Sequence, residues 1–533
     1  MSARPGLAVA MALPLALLPA LVGTAAPPEV TRIFPPGVQR GATATVKVSG
    51  TFPAWPVTAW TDRPGTTWEP QAESGTFLVG AAADAPLGVH LVRFASPQGT
   101  SAPRRFLVGH LPQVVETEPN DRPDGAGAVD GAAVVVDGVL GAAGDADCHR
   151  VHLAAGELLV AQADAHRLLR SPADLVLDVV DTAGNLFARN LDATGLDPRV
   201  VFTAPADGDY AVRVWGFPEN PDSTIGLAGG EGFVYRLTLG RGRFLTGTLP
   251  EAVSADADAA LEPLGFGLDG AGPITLAAAA ARGGAATGTV GVALDGVAGL
   301  AEVAVVPRQV VAGGDGAAVA APVTFSGVLR APGDVARHHI SAASGTKLTF
   351  VAEGTAIGTL LDPLLAIRDE AGALLASTDD LPGRIGWAAP ADGTFTAEIR
   401  DRRGQGSPAH GYRLTVTPDL PSVALTCTLD RVTGKVGTAI EVAIDVQRQH
   451  GHAAVLDVVL VDPPEGVSAA PATSAGEGDS AKKVTLAITA AGPLSAPVRI
   501  VARDASAAGA PALPVRFGPE GLDTLWLGIE AQP

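Results

Sequence analysis

Ala204-Pro205-Ala206-Asp207-Gly208 recurs letter for letter as Ala389-Pro390-Ala391-Asp392-Gly393, and the residues around these two stretches decide the fold. Upstream, Gly138-Val139-Leu140, Gly144-Asp145 and Ala154-Ala155-Gly156 return as Gly327-Val328-Leu329, Gly333-Asp334 and Ala343-Ser344-Gly345 at a constant offset of 189. Asp174-Leu175-Val176-Leu177 answers to Asp362-Pro363-Leu364-Leu365, and Asp181-Thr182-Ala183-Gly184 to Asp369-Glu370-Ala371-Gly372. Tyr235-Arg236-Leu237-Thr238 closes the first copy as Tyr412-Arg413-Leu414-Thr415 closes the second. A repeat of this length is a structural unit used twice.

The repeated segments read as strands and turns. Asp181-Thr182-Ala183-Gly184, between Leu175–Val180 and Leu186–Ala188, is a hairpin turn. Asp207-Gly208 tolerates positive φ just before Tyr210-Ala211-Val212-Arg213-Val214, which alternates as a strand does. No segment carries a sustained 3.6-residue apolar period with caps, and the Ala-rich run 277–286 is short and broken by glycine. Many short strands at roughly 8–12-residue spacing point to antiparallel sandwiches. The expected fold class is all-β: tandem β-sandwich domains, jelly-roll or Ig-like, in series.

Bulk composition agrees. A chain of 533 residues exceeds one ordinary core. With 47% hydrophobic and 17% charged residues it is globular, and 65 glycines and 43 prolines supply the turns. The net charge of −19 disfavours nucleic acid, because phosphates are neutralised by clustered Lys and Arg. Cys148 and Cys427 stand in different expected domains and are read as buried small apolar groups rather than a disulfide. Arg4, the apolar run Leu7–Val22 broken by Pro14 and Pro19, and Gly23-Thr24-Ala25-Ala26 read as a secretory signal. No later stretch is apolar and long enough to span a bilayer. The chain is expected to be exported, whether periplasmic, at the cell surface or extracellular.

The first copy opens with Glu116-Thr117-Glu118-Pro119-Asn120-Asp121, followed by Gly138, Gly144-Asp145-Ala146-Asp147, the Asp174 segment, Pro-Ala-Asp-Gly-Asp-Tyr and Tyr-Arg-Leu. Together these motifs resemble the bacterial pre-peptidase C-terminal domain, a β-sandwich appended to many secreted proteases and large surface proteins. The resemblance covers residues 114–240 and, less fully, 320–418. The second copy lacks the Glu-Pro-Asn opening, has Ala336 for Asp147 and has Phe395 for Tyr210. The insertion Phe217–Gly232 resembles versions in planctomycete-type exported proteins. The flanks resemble Ig-like sandwiches: 27–112 opens like a transcription-factor-type Ig (TIG) domain, 243–318 is a diverged sandwich, and 420–533 ends the chain on a strand around Trp526. The expected division is therefore 1–26 signal, 27–112, 113–242, 243–318, 319–419 and 420–533.

Catalytic motifs are missing from the sequence. Gly99-Thr100-Ser101-Ala102-Pro103 looks superficially like a subtilisin-type nucleophile segment, but no histidine or acid motif of that family accompanies it. There is no Gly-x-Ser-x-Gly, His-Glu-x-x-His or phosphate-binding loop. His149/His152 and His338/His339 fall on opposite strand faces, and His450/His452 read as a hairpin tip. The chemistry sits in oxygens. Glu116, Glu118, Asn120 and Asp121, with Asp145 and Asp147 further along, are the hard donors that calcium takes six to eight of. Relatives in the resembled family that bind collagen hold calcium with such an opening, which implies calcium at Glu116, Glu118, Asn120 and Asp121. The expected function is an exported, non-catalytic binding, adhesion or assembly protein for an extracellular protein or polysaccharide. The alternative is an accessory chain of a secreted peptidase system.

Overall fold

The computed structural model describes residues 26–218, 226–278, 280, 288–506 and 511–531. Residues 1–25 of the expected export signal, much of the Ala-rich run, and the middle of the Phe217–Gly232 insertion lie outside them. The regular secondary structure of the described residues is nearly all strand. Helix α1 (His166–Leu169) is a single turn. No described helix is long and apolar enough to cross a membrane.

The two sequence repeats are two sandwiches with one topology. The first is built from β1 (Gln113–Val115), β2 (Gly127–Ala128), β3 (Ala133–Val139), β4 (Ala146–Leu153), β5 (Leu158–Asp164), β6 (Leu175–Asp181), β7 (Leu186–Asn190), β8 (Arg199–Thr203), β9 (Gly208–Gly216) and β10 (Val234–Arg241). Its sheets run β1-β3-β10-β5-β8 and β2-β4-β9-β6-β7. The second uses β11 (Gln309–Ala312), β12 (Val319–Ala320), β13 (Val323–Val328), β14 (Ala336–Ala342), β15 (Lys347–Glu353), β16 (Pro363–Arg368), β17 (Leu374–Thr378), β18 (Gly383–Ala388), β19 (Gly393–Asp401) and β20 (Gly411–Pro418). Its sheets run β11-β13-β20-β15-β18 and β12-β14-β19-β16-β17, the same order strand for strand. The repeated Asp-x-x-Gly is the β6–β7 hairpin: Asp181 Oδ1 accepts from the N–H groups of Ala183 and Asn185, and Gly184 takes φ 86°. Aromatic packing also recurs. Phe202 meets Tyr210 edge-on at 5.1 Å, as Trp387 meets Phe395 at 4.7 Å.

The other three units are sandwiches as well. The N-terminal one pairs Glu29–Phe34, Thr43–Thr51, Thr76–Ala81 and Thr66–Pro70 against Gly37–Gln39, Arg104–Gly109, Gly88–Ser96 and Thr58–Thr61. Phe77, Phe94 and Phe106 fill its core, with Trp68 edge-on to all three. Between the repeats, two three-stranded sheets close over Leu245, Val253, Leu261, Val290 and Val303. In the C-terminal unit the long strand Leu494–Asp504 pairs first with Leu525–Glu530, then with Leu456–Val461. Strands Ile440–Gln449 and Leu456–Val461 have different partners, so His450 and His452 sit on a crossover turn instead of a hairpin tip. Both cysteines are buried and free.

Packing between units explains why some strands are apolar on both faces. In β3, Val134 and Val136 face the core of the first repeat. Val135 points the other way, with Val160, onto Phe244 and Ala298 of the next unit. The chain also folds back on itself. Val89, Leu91 and Leu107 of the N-terminal unit share one buried cluster with Leu168 and Leu169 and with the C-terminal core. Trp60 packs edge-on to Trp526 at 6.2 Å. Arg105 Nη2 bonds Glu520 Oε2 at 2.7 Å, and buried Arg93 lies 3.5 Å from Asp430. Removing one partner of such a pair strands the other charge. Arg93→Met is therefore expected to destabilise the joint by roughly 3–5 kcal/mol in denaturant unfolding, while Arg93→Met/Asp430→Asn recovers most of that loss. A single variant as stable as the parent contradicts this reading.

Candidate metal centre

Both repeats are built around one buried cross-strand arrangement. Gly138 on β3 stands opposite Tyr235 on β10, and Gly327 on β13 stands opposite Tyr412 on β20. A Cβ on either glycine would fall 2.1 Å from the tyrosine phenol. Glycine therefore leaves the space in which the phenol lies. Each phenol then needs a partner, because a buried hydroxyl without a hydrogen bond is costly. His149 Nε2 supplies it at 2.9 Å in the first repeat, and His338 Nε2 at 3.0 Å in the second. Burial pushes both imidazoles down to about 4. The remaining histidines of the pairs point away, as expected: His152 reaches Asp209 and His339 reaches Thr396.

Here the repeats diverge. In the second, Ala336 stands two residues before the buried histidine, and His338 stacks on Phe325 at 4.4 Å. In the first, the corresponding residue is Asp147, whose Oδ2 accepts from the Tyr235 hydroxyl at 2.7 Å. Glu116 Oε2 lies 3.0 Å from the same hydroxyl, while its Oε1 accepts from the Val139 N–H at 2.6 Å. One phenolic proton faces two carboxylates. Burial, then the charge of Glu116, pushes Asp147 up to about 9, and burial raises Glu116 as well. The Tyr235 phenol is held well above its ordinary value by burial and by the two carboxylates.

Toward the surface this pair opens into a cluster of oxygens. Carboxylate oxygens of Glu118, Asp145 and Asp147 lie within 4.8 Å of one another. The Asn120 side-chain amide nitrogen donates to Glu118 Oε2 at 3.0 Å and to Asp147 Oδ1 at 3.1 Å. Three carboxylates thus direct oxygen at one point, and the Asn120 amide bridges two of them. Asn120 and Asp147 are buried, Asp145 half-buried and Glu118 exposed. Burial, then the neighbouring Asp145, raises Glu118; burial and Asp121 raise Asp145. The lead-in segment is held by Asn120, whose N–H donates to Glu118 Oε2 and whose carbonyl accepts from the Cys148 N–H. A donor set of three carboxylates beside an amide that could turn its oxygen to an ion, partly buried and open on one side, suits a hard cation that keeps some water, calcium before zinc.

Of the four residues expected to hold a metal, the structure brings Glu118 and Asn120 into the cluster. Glu116 stands one row behind, on Tyr235 and Asp147. Asp121 is exposed at the rim beside Asp145, and its carbonyl accepts from the Cys148 thiol at 3.7 Å. Asp145 and Asp147 complete the set. The place of Tyr235 under the cluster comes from the Gly138 gap, visible in sequence as a glycine and a tyrosine repeated at matching positions.

No protein-family model matches the chain, and no curated protein matches it. Among solved structures it is similar to Aeromonas hydrophila PliG, a periplasmic lysozyme inhibitor of g-type lysozyme, at 16% identity over 18% of this chain and 83% of that one, TM-score 0.15. It is similar to the fibronectin(III)-like modules of Clostridium thermocellum CbhA at 13% identity over 37% and 86%, TM-score 0.14. Against the N-terminal four Ig domains of Dscam1 isoform 9.44 the values are 10% identity over 93% and 97%, TM-score 0.20. Likenesses this distant assign no site and no partner. The class of the protein rests on its own sheets: a multi-sandwich β-protein with an oxygen cluster in one of two matched repeats.

The buried histidine of the second repeat gives a pH test away from that cluster. His338 is neutral in the fold, lowered from 6.5 to about 4 by burial, with Asp315 opposing and His339 adding to the shift. Between those values the unfolded chain binds more protons, so stability rises with pH there and is lost as pH falls below 6.5. Thermal unfolding of the second repeat is expected to weaken from pH 6.5 to 4.5 by roughly 1.4 kcal/mol per unit from this ring. His338→Gln should flatten that slope; an unchanged slope contradicts the assignment.

Proposed function

We propose that this chain is an exported, non-catalytic binding protein whose first repeat, a pre-peptidase-type module, holds calcium through Glu118, Asn120, Asp145 and Asp147. The observation that carries this reading is the contrast between matched repeats. Both keep the glycine gap, the tyrosine and the histidine, yet only the first adds Asp147, Glu116 and the acidic lead-in over that frame. Residues needed only for the fold would recur with it.

The ion would neutralise carboxylates that burial and mutual repulsion otherwise drive toward protonation. It would also tie residues 116–121 to β4, fixing how the module leaves the preceding sandwich. Glu116 orients Tyr235 and Asp147 from behind and is a positioning residue. Sandwiches in series, packed back on one another, then present loops to an extracellular protein or polysaccharide from the periplasm, the cell surface or beyond.

Melting of the full chain tests this. If the affinity lies in the range of extracellular calcium modules, about 10⁻⁴–10⁻³ M, then about 10 mM calcium should stabilise the first repeat by roughly 1.4–2.7 kcal/mol relative to chelator. Asp147→Asn and Glu118→Gln should each remove that gain while still folding. No calcium-dependent shift, or the same shift in both variants, overturns the proposal.

A further inference from the structure

A cavity of about 470 Å³ opens where the first repeat, the unit after it and the second repeat meet. Its walls concentrate positive charge in a chain with 56 acidic and 37 basic residues. Arg167, Arg170, Arg199 and Arg413 line it, against Glu251 and Glu302. Glu302 is already engaged by Arg167. Burial pushes Glu251 up, which lessens its negative charge, with Arg413 opposing. Arg413 commits Nε to Glu353 at 2.7 Å, and Arg199 commits Nε to Gln162 at 2.8 Å. Neither guanidinium is used up by these bonds, since each carries five donors in a planar fork. Arg199 is itself held at about 10 by burial, which marks a cation kept in a confined place rather than on open surface.

The rest of the lining narrows the ligand. Threonines 194, 246, 355 and 359 ring the cavity, and glycines 195, 247 and 358 expose backbone to it. Thr246 and Thr359 hydroxyls donate to the carbonyls of Leu264 and Gly411, and Thr359 also accepts from the Leu361 N–H, which leaves acceptor capacity on each for a ligand's own hydroxyls. Among the described residues no Phe, Tyr or Trp lines the cavity, so a neutral sugar has only the small His166 ring to stack on. The few apolar side chains, Leu245, Leu300 and Ile357, give little to a peptide's anchors. The volume lies within the roughly 300–1,000 Å³ usual for ligand sites, which favour junctions between domains.

We propose that this junction binds an acidic saccharide, one or two rings carrying a carboxylate or sulfate, with Arg199 and Arg413 on the anionic group and the threonines on the hydroxyls. The site gives the binding role proposed above a ligand class. It shares no residue with the oxygen cluster, so it stands or falls without calcium.

Calorimetric titration of the full chain, in chelator and again in calcium, tests it with four probes: a digalacturonate, a sulfated disaccharide, cellobiose and an acidic hexapeptide. At least one of the first two should bind at least tenfold more tightly than cellobiose or the peptide, equally with and without calcium, and more weakly as salt rises. Arg199→Gln and Arg413→Gln should each weaken that binding at least tenfold. Gly247→Phe is the independent variant. An added Cβ at Gly247 meets nothing within 4 Å, so its side chain enters the cavity and should abolish binding without lowering the melting temperature. No binding by either charged sugar, equal binding of cellobiose, tighter binding of the peptide, or full binding by Gly247→Phe overturns the proposal.

Discussion

A buried phenol that must be given both room and a partner governs the two repeats. The room comes from a glycine directly across the ladder, at 138 and 327. The partner comes from a histidine on the facing sheet, at 149 and 338. Once Tyr235 and Tyr412 are fixed in this way, the facing sheets are tied by a hydrogen bond through the core, and the same ten-strand order follows in both copies. The oxygen cluster is an elaboration of that frame. Asp147 occupies a position that Ala336 fills with a methyl group, and Glu116 reaches the same hydroxyl from the lead-in segment just past β1. Two carboxylates against one phenolic proton leave a charge deficit that only a proton or a cation resolves.

Beyond the repeats, the sandwiches do not hang as separate beads. Residues of the N-terminal unit, α1 and the C-terminal unit share one buried cluster, and the Arg93–Asp430 and Arg105–Glu520 pairs flank it. The middle unit is clasped by both repeats: Phe244 and Ala298 cover Val135 and Val160 on one side, and the Ser326 hydroxyl accepts from the Glu251 N–H at 2.7 Å on the other. That clasp creates the arginine-lined cavity, which no single sandwich contains.

Much of the fold was legible because strands and tight turns write themselves locally. The alternation in 210–214 and the Asp-x-x-Gly before Leu186 needed no tertiary information. The shared topology was legible because the two copies could be laid side by side. What was not legible depends on contacts between distant segments. Val134-Val135-Val136 reads as an apolar run, but only the neighbouring unit explains the outward Val135. His450 and His452 read as a hairpin tip because local sequence does not reveal that the flanking strands join different partners. In the oxygen cluster, adjacency in sequence overstated Asp121 and understated Asp147. The strand brings Asp147 inward beneath Asn120, whereas Asp121 turns out to solvent. The cavity was invisible, since Arg199 and Arg413 are 214 positions apart in the chain.

The most direct test of the calcium assignment is anomalous diffraction from crystals of the full chain grown with calcium or a lanthanide substitute. The account expects one strong peak about 2.3–2.6 Å from oxygens of Glu118, Asn120, Asp145 and Asp147, and none beside Ala336 in the second repeat. A peak equally strong at both repeats, or none at the first, would contradict it.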